Sequence, residues 1–262
     1  MKILFAGPSL YGTAWAADEP SLIDDVECRG PAAQGDIASA VVEGATAIGL
    51  IDGRFEDTAA VWHKEILYAL EEGVQVFGAA SMGALRAAEC APFGMIGVGT
   101  VFERYRDGDL VDDAAVAQTH APAELGYAPL SEALVNVEAT LERFVKLRAI
   151  DENEAAALNA GARRLFFKER TWPQILDAAG LDREPRRVRL LELVRRCRVD
   201  VKQQDAVILA KYLSYLDRAR QAAPDDWRME SSYTWIRTLE RVRGVFPGLP
   251  AGEGIEPDLS RR

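Results

Sequence analysis

Histidine is scarce in this chain of 262 residues: His63 and His120 are the only two. A serine hydrolase of the Ser-His kind must draw on one of them, and no cluster of His, Cys and carboxylate has metal-ligand spacing, so no metal is expected. The three cysteines, Cys28, Cys90 and Cys197, are odd in number and far apart, which excludes a disulfide framework. Cys90 reads first as a small buried residue and second as a sulfur handler. There is no apolar run of ~18 residues and no basic-then-apolar leader, so neither a membrane span nor secretion is expected, and the cytoplasm is the expected compartment. No G-x-x-x-x-G-K-[ST] loop occurs, and no G-x-G-x-x-G follows a strand; Gly97-Val98-Gly99 is a fragment of one. No nucleotide cofactor is therefore expected. Basic residues are scarce in the first half. Residues 1–130 hold 7 Lys+Arg against 20 Asp+Glu, while residues 131–262 hold 24 against 21, within a net charge of −10. An acidic half argues against a nucleic-acid groove there and suits either a basic protein partner or plain solvation.

The apolar pattern supplies an architecture. Residues 3–6, 47–51 and 74–77 are short, nearly continuous apolar runs, each followed by a turn signal. Between the last two, Val61, Ile66, Leu67 and Leu70 recur at helical spacing within residues 59–72, and Asp36 is a candidate N-cap for a helix over residues 36–44. Strands alternating with helices predict an α/β fold with a parallel sheet, whose sites gather at the carboxyl ends of the strands. Gly7-Pro8, Asp52-Gly53 and Ala80-Ser81 fall at those ends. Beyond Ser131 the strand signal stops. Asp151 opens one helix, Thr171 before Pro173 opens another, and Leu209, Tyr212, Leu213 and Leu216 follow a helical stripe. Residues 183–198 read as a basic amphipathic helix. The expected organisation is an α/β core over 1–145 with the candidate site, a helical region over 146–246, and a Gly/Pro-rich tail over 247–262.

The chemistry concentrates between Trp62 and Glu89. Val74-Gln75-Val76-Phe77 runs into Gly78-Ala79-Ala80-Ser81-Met82-Gly83-Ala84, a strand, an uncrowded turn and a helix start. Such a turn presents the Ser81 hydroxyl at the positive end of a helix, with the amides of Met82 and Gly83 available to an oxyanion. A serine there also serves simply as a helix N-cap. Lys64, one helix upstream, is a base only if burial makes it neutral; otherwise it pairs on a solvated face. His63 beside it points elsewhere on a helix, and His120 has no acid positioned by sequence. Asp52 and Gly53 would lie beside the turn in a parallel sheet, or serve only as turn residues. Arg86 and Glu89, at i and i+3, either pair or meet a substrate, and Gln34 and Asp36 are supporting candidates of the same standing.

Several phrases, in order, resemble one family. They are Gly30-Pro31-Ala32-Ala33-Gln34-Gly35-Asp36, Ile51-Asp52-Gly53-Arg54-Phe55, Trp62-His63-Lys64-Glu65-Ile66-Leu67, the Ser81 phrase through Glu89, Phe93-Gly94-Met95-Ile96-Gly97-Val98-Gly99 and Tyr105-Arg106-Asp107-Gly108. Together they resemble the TfuA family over residues 2–140. The resemblance implies a partner of a YcaO enzyme, which activates a peptide amide with ATP so that sulfur replaces its oxygen. It implies hydrolysis of a thiocarboxylated ubiquitin-like sulfur carrier of the ThiS type, by a Ser-Lys pair whose family positions match Ser81 and Lys64. Two other classes stand beside it. One is a non-catalytic adaptor that tightens YcaO on its peptide. The other is a serine peptidase, because Ala79-Ala80-Ser81-Met82-Gly83-Ala84 also resembles the nucleophile segment of Clp-type proteases, although no histidine segment of that kind is recognisable.

Overall fold

The computed structural model describes residues 1–16, 25–56, 58–217 and 219–244; the tail expected over 247–262 lies outside the described residues. The three expected strands are β1 (Lys2–Phe5), β3 (Ala47–Leu50) and β4 (Gln75–Ala79). Two edge strands, β2 (Val26–Arg29) and β5 (Ile96–Val98), complete a five-stranded sheet of order β2-β1-β3-β4-β5. Every pairing is parallel. The fold is α/β. Its helices are α1 (Asp36–Val42), α2 (His63–Glu71), α3 (Met82–Cys90), α4 (Thr100–Arg106), α5 (Leu134–Lys146), α6 (Glu152–Arg164), α7 (Trp172–Ala178), α8 (Arg186–Cys197), α9 (Val201–Tyr215) and α10 (Tyr233–Val242).

Alternation along the strands explains the layering. Ile3, Phe5, Ile48, Leu50 and Val76 join a core with the apolar sides of α1, α2 and α3. The intervening Leu4, Phe77 and Ala79 meet Ala206, Leu209, Ala210 and Leu213 of α9 instead. A strand buried on both faces must be apolar at both parities, which is why these runs lack a polar alternation. Full burial of a leucine such as Leu209 or Leu213 stabilises by roughly 1.5–3 kcal/mol.

Polar contacts fix where α9 lies. Asp200 caps its first turn by accepting from the Gln203 amide at 2.9 Å, and also accepts from Asn136 Nδ2 of α5 at 2.9 Å. Asp205 accepts from the amides of Thr100 and Val101, at 3.0 and 2.8 Å, and so caps α4. At the other end the buried ammonium of Lys2 donates to the carbonyls of Ser214 and Leu216, where a cation complements the helix terminus. Helices α5 to α8 pack together through Leu141, Phe144, Trp172, Ile175 and Leu190. Helix α10 returns to α2, with the Trp235 ring tilted against Tyr68 at 5.3 Å between centroids.

Two expected helix starts move. Gly35, at φ 100°, is the cap of α1, and Asp36 is its first residue, accepting from the Ala33 amide at 2.8 Å. Residues 59–62 stay out of α2 because Glu65 reaches back to the Trp62 amide at 3.2 Å, which closes the helix start there.

Candidate functional site

At the carboxyl ends of β1, β3 and β4 lies a cavity of about 1060 Å³. Asp52 and Gly53 beyond β3, Ser81 and Met82 beyond β4, His120 from the loop before α5, and Lys202 of α9 all line it.

The Ser81 turn is tight and strained. The Ser81 amide donates to the Ala79 carbonyl at 2.7 Å, a three-residue turn that drives Ala80 to φ 66°. A non-glycine residue there costs energy, so the surroundings must hold it. They do so with glycine. A Cβ on Gly83 would come within 1.8 Å of the Leu50 carbonyl oxygen, so only glycine lets α3 begin this close to β3. Ser81, 9 % exposed, caps α3, and its carbonyl accepts from Ala84 at 3.0 Å. Its hydroxyl has no hydrogen-bond partner among the described residues.

One half of the expected amide pair goes elsewhere. The Gly83 amide donates to the Ile51 carbonyl at 3.1 Å, so it is committed to anchoring α3 on β3. The Met82 amide has no acceptor among the described residues, nor has the Gly53 amide. Gly53 packs directly on Met82; a Cβ there would meet the Met82 sulfur at 2.1 Å. The two uncommitted amides thus come from the elbow and from the neighbouring strand end.

Asp52, 2 % exposed, accepts from the Gly7 and Ser9 amides at 2.9 and 3.0 Å and from Ser9 Oγ at 2.8 Å. Its carboxylate therefore fastens the loop after β1 and forms part of the cavity wall. Arg86 and Glu89 pair at 2.6 Å, and His63 joins the same Glu89 oxygen at 2.8 Å. Arg86 also donates to the Val61 carbonyl, tying α3 to the segment before α2. Lys64 is not in the cavity wall. Its ammonium donates to the Glu230 carbonyl at 2.6 Å, and among the described residues no hydrogen bond joins it to Ser81. Gln34 and Asp36 sit at the start of α1, also outside the wall.

The other wall holds His120 and a lysine that the local sequence did not single out. Lys202 is 1 % exposed, and its Nζ donates to the Val116 carbonyl at 2.8 Å and to Gln118 Oε1 at 2.7 Å. Burial pushes this amine well below the usual lysine range, against the pull of Asp52 and Asp200. His120 pairs its Nδ1 with the Ala121 carbonyl at 2.8 Å. A carbonyl only accepts, so in the neutral ring the proton sits on Nδ1 and Nε2 keeps the lone pair. Cys90 is buried away from the cavity wall. Burial, with Glu89 beside it, pushes its thiol up to about 11, which makes it an inert thiol rather than a sulfur handler.

Among the described residues no group of His, Cys, Asp and Glu could hold a metal ion, and no helix is long and apolar enough to cross a membrane. Residues 52–171 match the family model described as TfuA-like protein. That span holds the Ser81 elbow, Gly53 and His120, and stops short of Lys202. No curated relative matches the chain.

Proposed function

We propose that this chain, TfuA-like over residues 52–171, hydrolyses the C-terminal thiocarboxylate of a ubiquitin-like sulfur carrier of the ThiS type and so supplies sulfide to a YcaO enzyme that thioamidates a peptide backbone. The observation that carries this reading is Ser81, held on a strained turn in the wall of a roomy cavity beside two uncommitted amides. Ser81 Oγ attacks the terminal acyl carbon. The Met82 and Gly53 amides receive the oxyanion, and each donor of that kind is worth ~10²–10³ in rate. His120 Nε2 takes the Ser81 proton, the role that the family resemblance gives to Lys64. Sulfide leaves, and water then resolves the ester with the same imidazole as base. The glycine end of such a carrier suits an elbow built from alanines and glycine, because it lets backbone approach backbone.

Sulfide release from thiocarboxylated carrier tests this reading. Ser81→Ala is expected to lower it by ~10³ or more while leaving the fold and the YcaO interaction intact. Free sulfide is then expected to restore thioamidation in the complete system. A folded Ser81→Ala protein with full carrier-dependent activity supports the adaptor instead. Cleavage of unrelated peptides by the wild-type chain supports the peptidase.

A further inference from the structure

The cavity wall contains a cation that the proposed reaction has not used. Arg86 is matched by Glu89 and Lys168 by Glu56, both within the wall itself, and Arg54 of the wall also has a partner. Lys202 is different. It is almost wholly buried, and among the described residues no carboxylate lies within ion-pair distance of its Nζ. An ammonium carries three donors; Val116 and Gln118 take two, and the third has no acceptor among the described residues. A buried cation held only by neutral oxygens is costly to charge, and an anion brought beside it would relieve that cost.

The substrate of the hydrolytic reading is such an anion, and its chemistry requires a proton. A thiocarboxylate resists attack because it is already negative, and its sulfur cannot depart as a dianion. We infer that Lys202 receives the thiocarboxylate end of the carrier in this cavity and protonates the departing sulfur, which makes it a catalytic residue supplied by α9, beyond the segment that matches the family model. This inference rests on the hydrolytic reading of Ser81.

The step balances. The bond from Ser81 Oγ to the acyl carbon forms and the bond from that carbon to sulfur breaks. The Ser81 proton passes to His120 Nε2, the Lys202 proton passes to sulfur, and HS⁻ leaves with the bonding pair. Solvent returns His120 and Lys202 to their resting protonation. Water then attacks the ester, gives a proton to His120, and that proton returns to Ser81 Oγ as the carrier leaves as its acid, which ionises. The total is thiocarboxylate plus water giving carboxylate, HS⁻ and a proton.

Burial lowers the basicity of Lys202, which makes its ammonium a readier proton donor than an ordinary lysine. The charges that act on it are Asp52, beyond β3, and Asp200, at the start of its own helix. Asp205 of α9 faces α4, where Glu103 lies near it. On α5, Glu138 is matched by Arg104 and Arg163. The portions of β3, β4, β5 and the turn at residues 8–10 that meet α9 carry no titratable side chain.

The test compares two forms of one carrier, the C-terminal thiocarboxylate and the neutral ethyl thioester, whose thiolate leaves without help. Lys202→Met is expected to lower sulfide release at least 100-fold and thioester hydrolysis less than about threefold, while Ser81→Ala loses both. Lys202→Arg keeps the charge but not the acidity. It is expected to bind the carrier within about threefold of wild type and to release sulfide at least 30-fold more slowly. If Lys202→Met does not fold, the Arg variant decides. Release near the wild-type rate in either folded variant, or equal loss on both substrates, overturns the role of Lys202 while Ser81 stands. Retention of both activities by Ser81→Ala removes the hydrolytic reading itself.

Discussion

The two walls of the cavity are made in different ways. The wall at Ser81 is local. Thirteen consecutive residues, Gly78 to Cys90, form the end of β4, the turn and α3, and Gly83 seats them against the end of β3. The wall at Lys202 is assembled from a distance. That lysine reaches the cavity only because α9 is tied to α4 through Asp205, to α5 through Asp200, to β1 through Lys2, and to the sheet through Leu209 and Leu213. Changes at the first wall should strike the site directly, whereas changes at the second should loosen packing and carry the cation away.

The strongest structural break in that comparison is Gly83→Ala. The new methyl would sit 1.8 Å from the Leu50 carbonyl oxygen, a backbone atom that cannot give way cheaply. A loss of about 3 kcal/mol or more is expected, together with loss of Ser81 labelling by a fluorophosphonate. Urea denaturation measures the first and mass spectrometry the second; a stable, fully labelled variant would contradict the elbow geometry.

Next comes Leu213→Ala on the far wall, with an expected cost of about 2–4 kcal/mol from a fully buried leucine over the sheet. Its melting temperature should fall, and labelling of Ser81 should survive below the transition. Asp205→Ala orphans two amides at the start of α4 and should cost roughly 1–3 kcal/mol, measured by the same denaturation. Finding it neutral would mean that α9 is not held through α4.

The smallest effect is expected at Lys64, whose ammonium meets a single backbone carbonyl outside the cavity. Lys64→Ala should change stability by about 0.5 kcal/mol or less and sulfide release less than threefold. A large loss of release with normal stability would restore Lys64 as the partner of Ser81. The two lysines should also differ in alkaline titration. The folded value of Lys202 is lowered, so the unfolded chain binds more protons between that value and the ordinary ~10.4. Its contribution to stability is therefore present above the ordinary value and lost as pH falls through the lowered one. Lys202→Met should remove that slope.

What could be read before the fold follows the same division. The central strands were visible because β1, β3 and β4 are buried on both faces and so, after Lys2 and Gln75, run apolar without alternation. The edge strands were not: Val26-Glu27-Cys28-Arg29 and Ile96-Gly97-Val98 are partly exposed and carry no run to recognise. Ser81 stood out because its turn chemistry is contiguous. The commitment of the Gly83 amide to Ile51 depends on the end of β3, 32 residues earlier, and no local pattern reports it. Lys202, in Asp200-Val201-Lys202-Gln203-Gln204-Asp205, has the look of a solvated helix start. Its burial is a product of tertiary packing alone. The Val61 to Leu70 stripe placed Lys64 on a helix correctly, but a stripe says which face is buried and not which cavity a neighbouring side chain can enter.

The central claim is that Ser81 becomes covalently acylated. The direct measurement is intact-protein mass spectrometry of the chain mixed with thiocarboxylated carrier and quenched in acid, followed by peptide mapping. An adduct of chain plus carrier minus hydrogen sulfide, attached at Ser81 and absent from Ser81→Ala, is the expected result. Rapid sulfide release with no adduct at any quench time, or with the adduct on another residue, would contradict it.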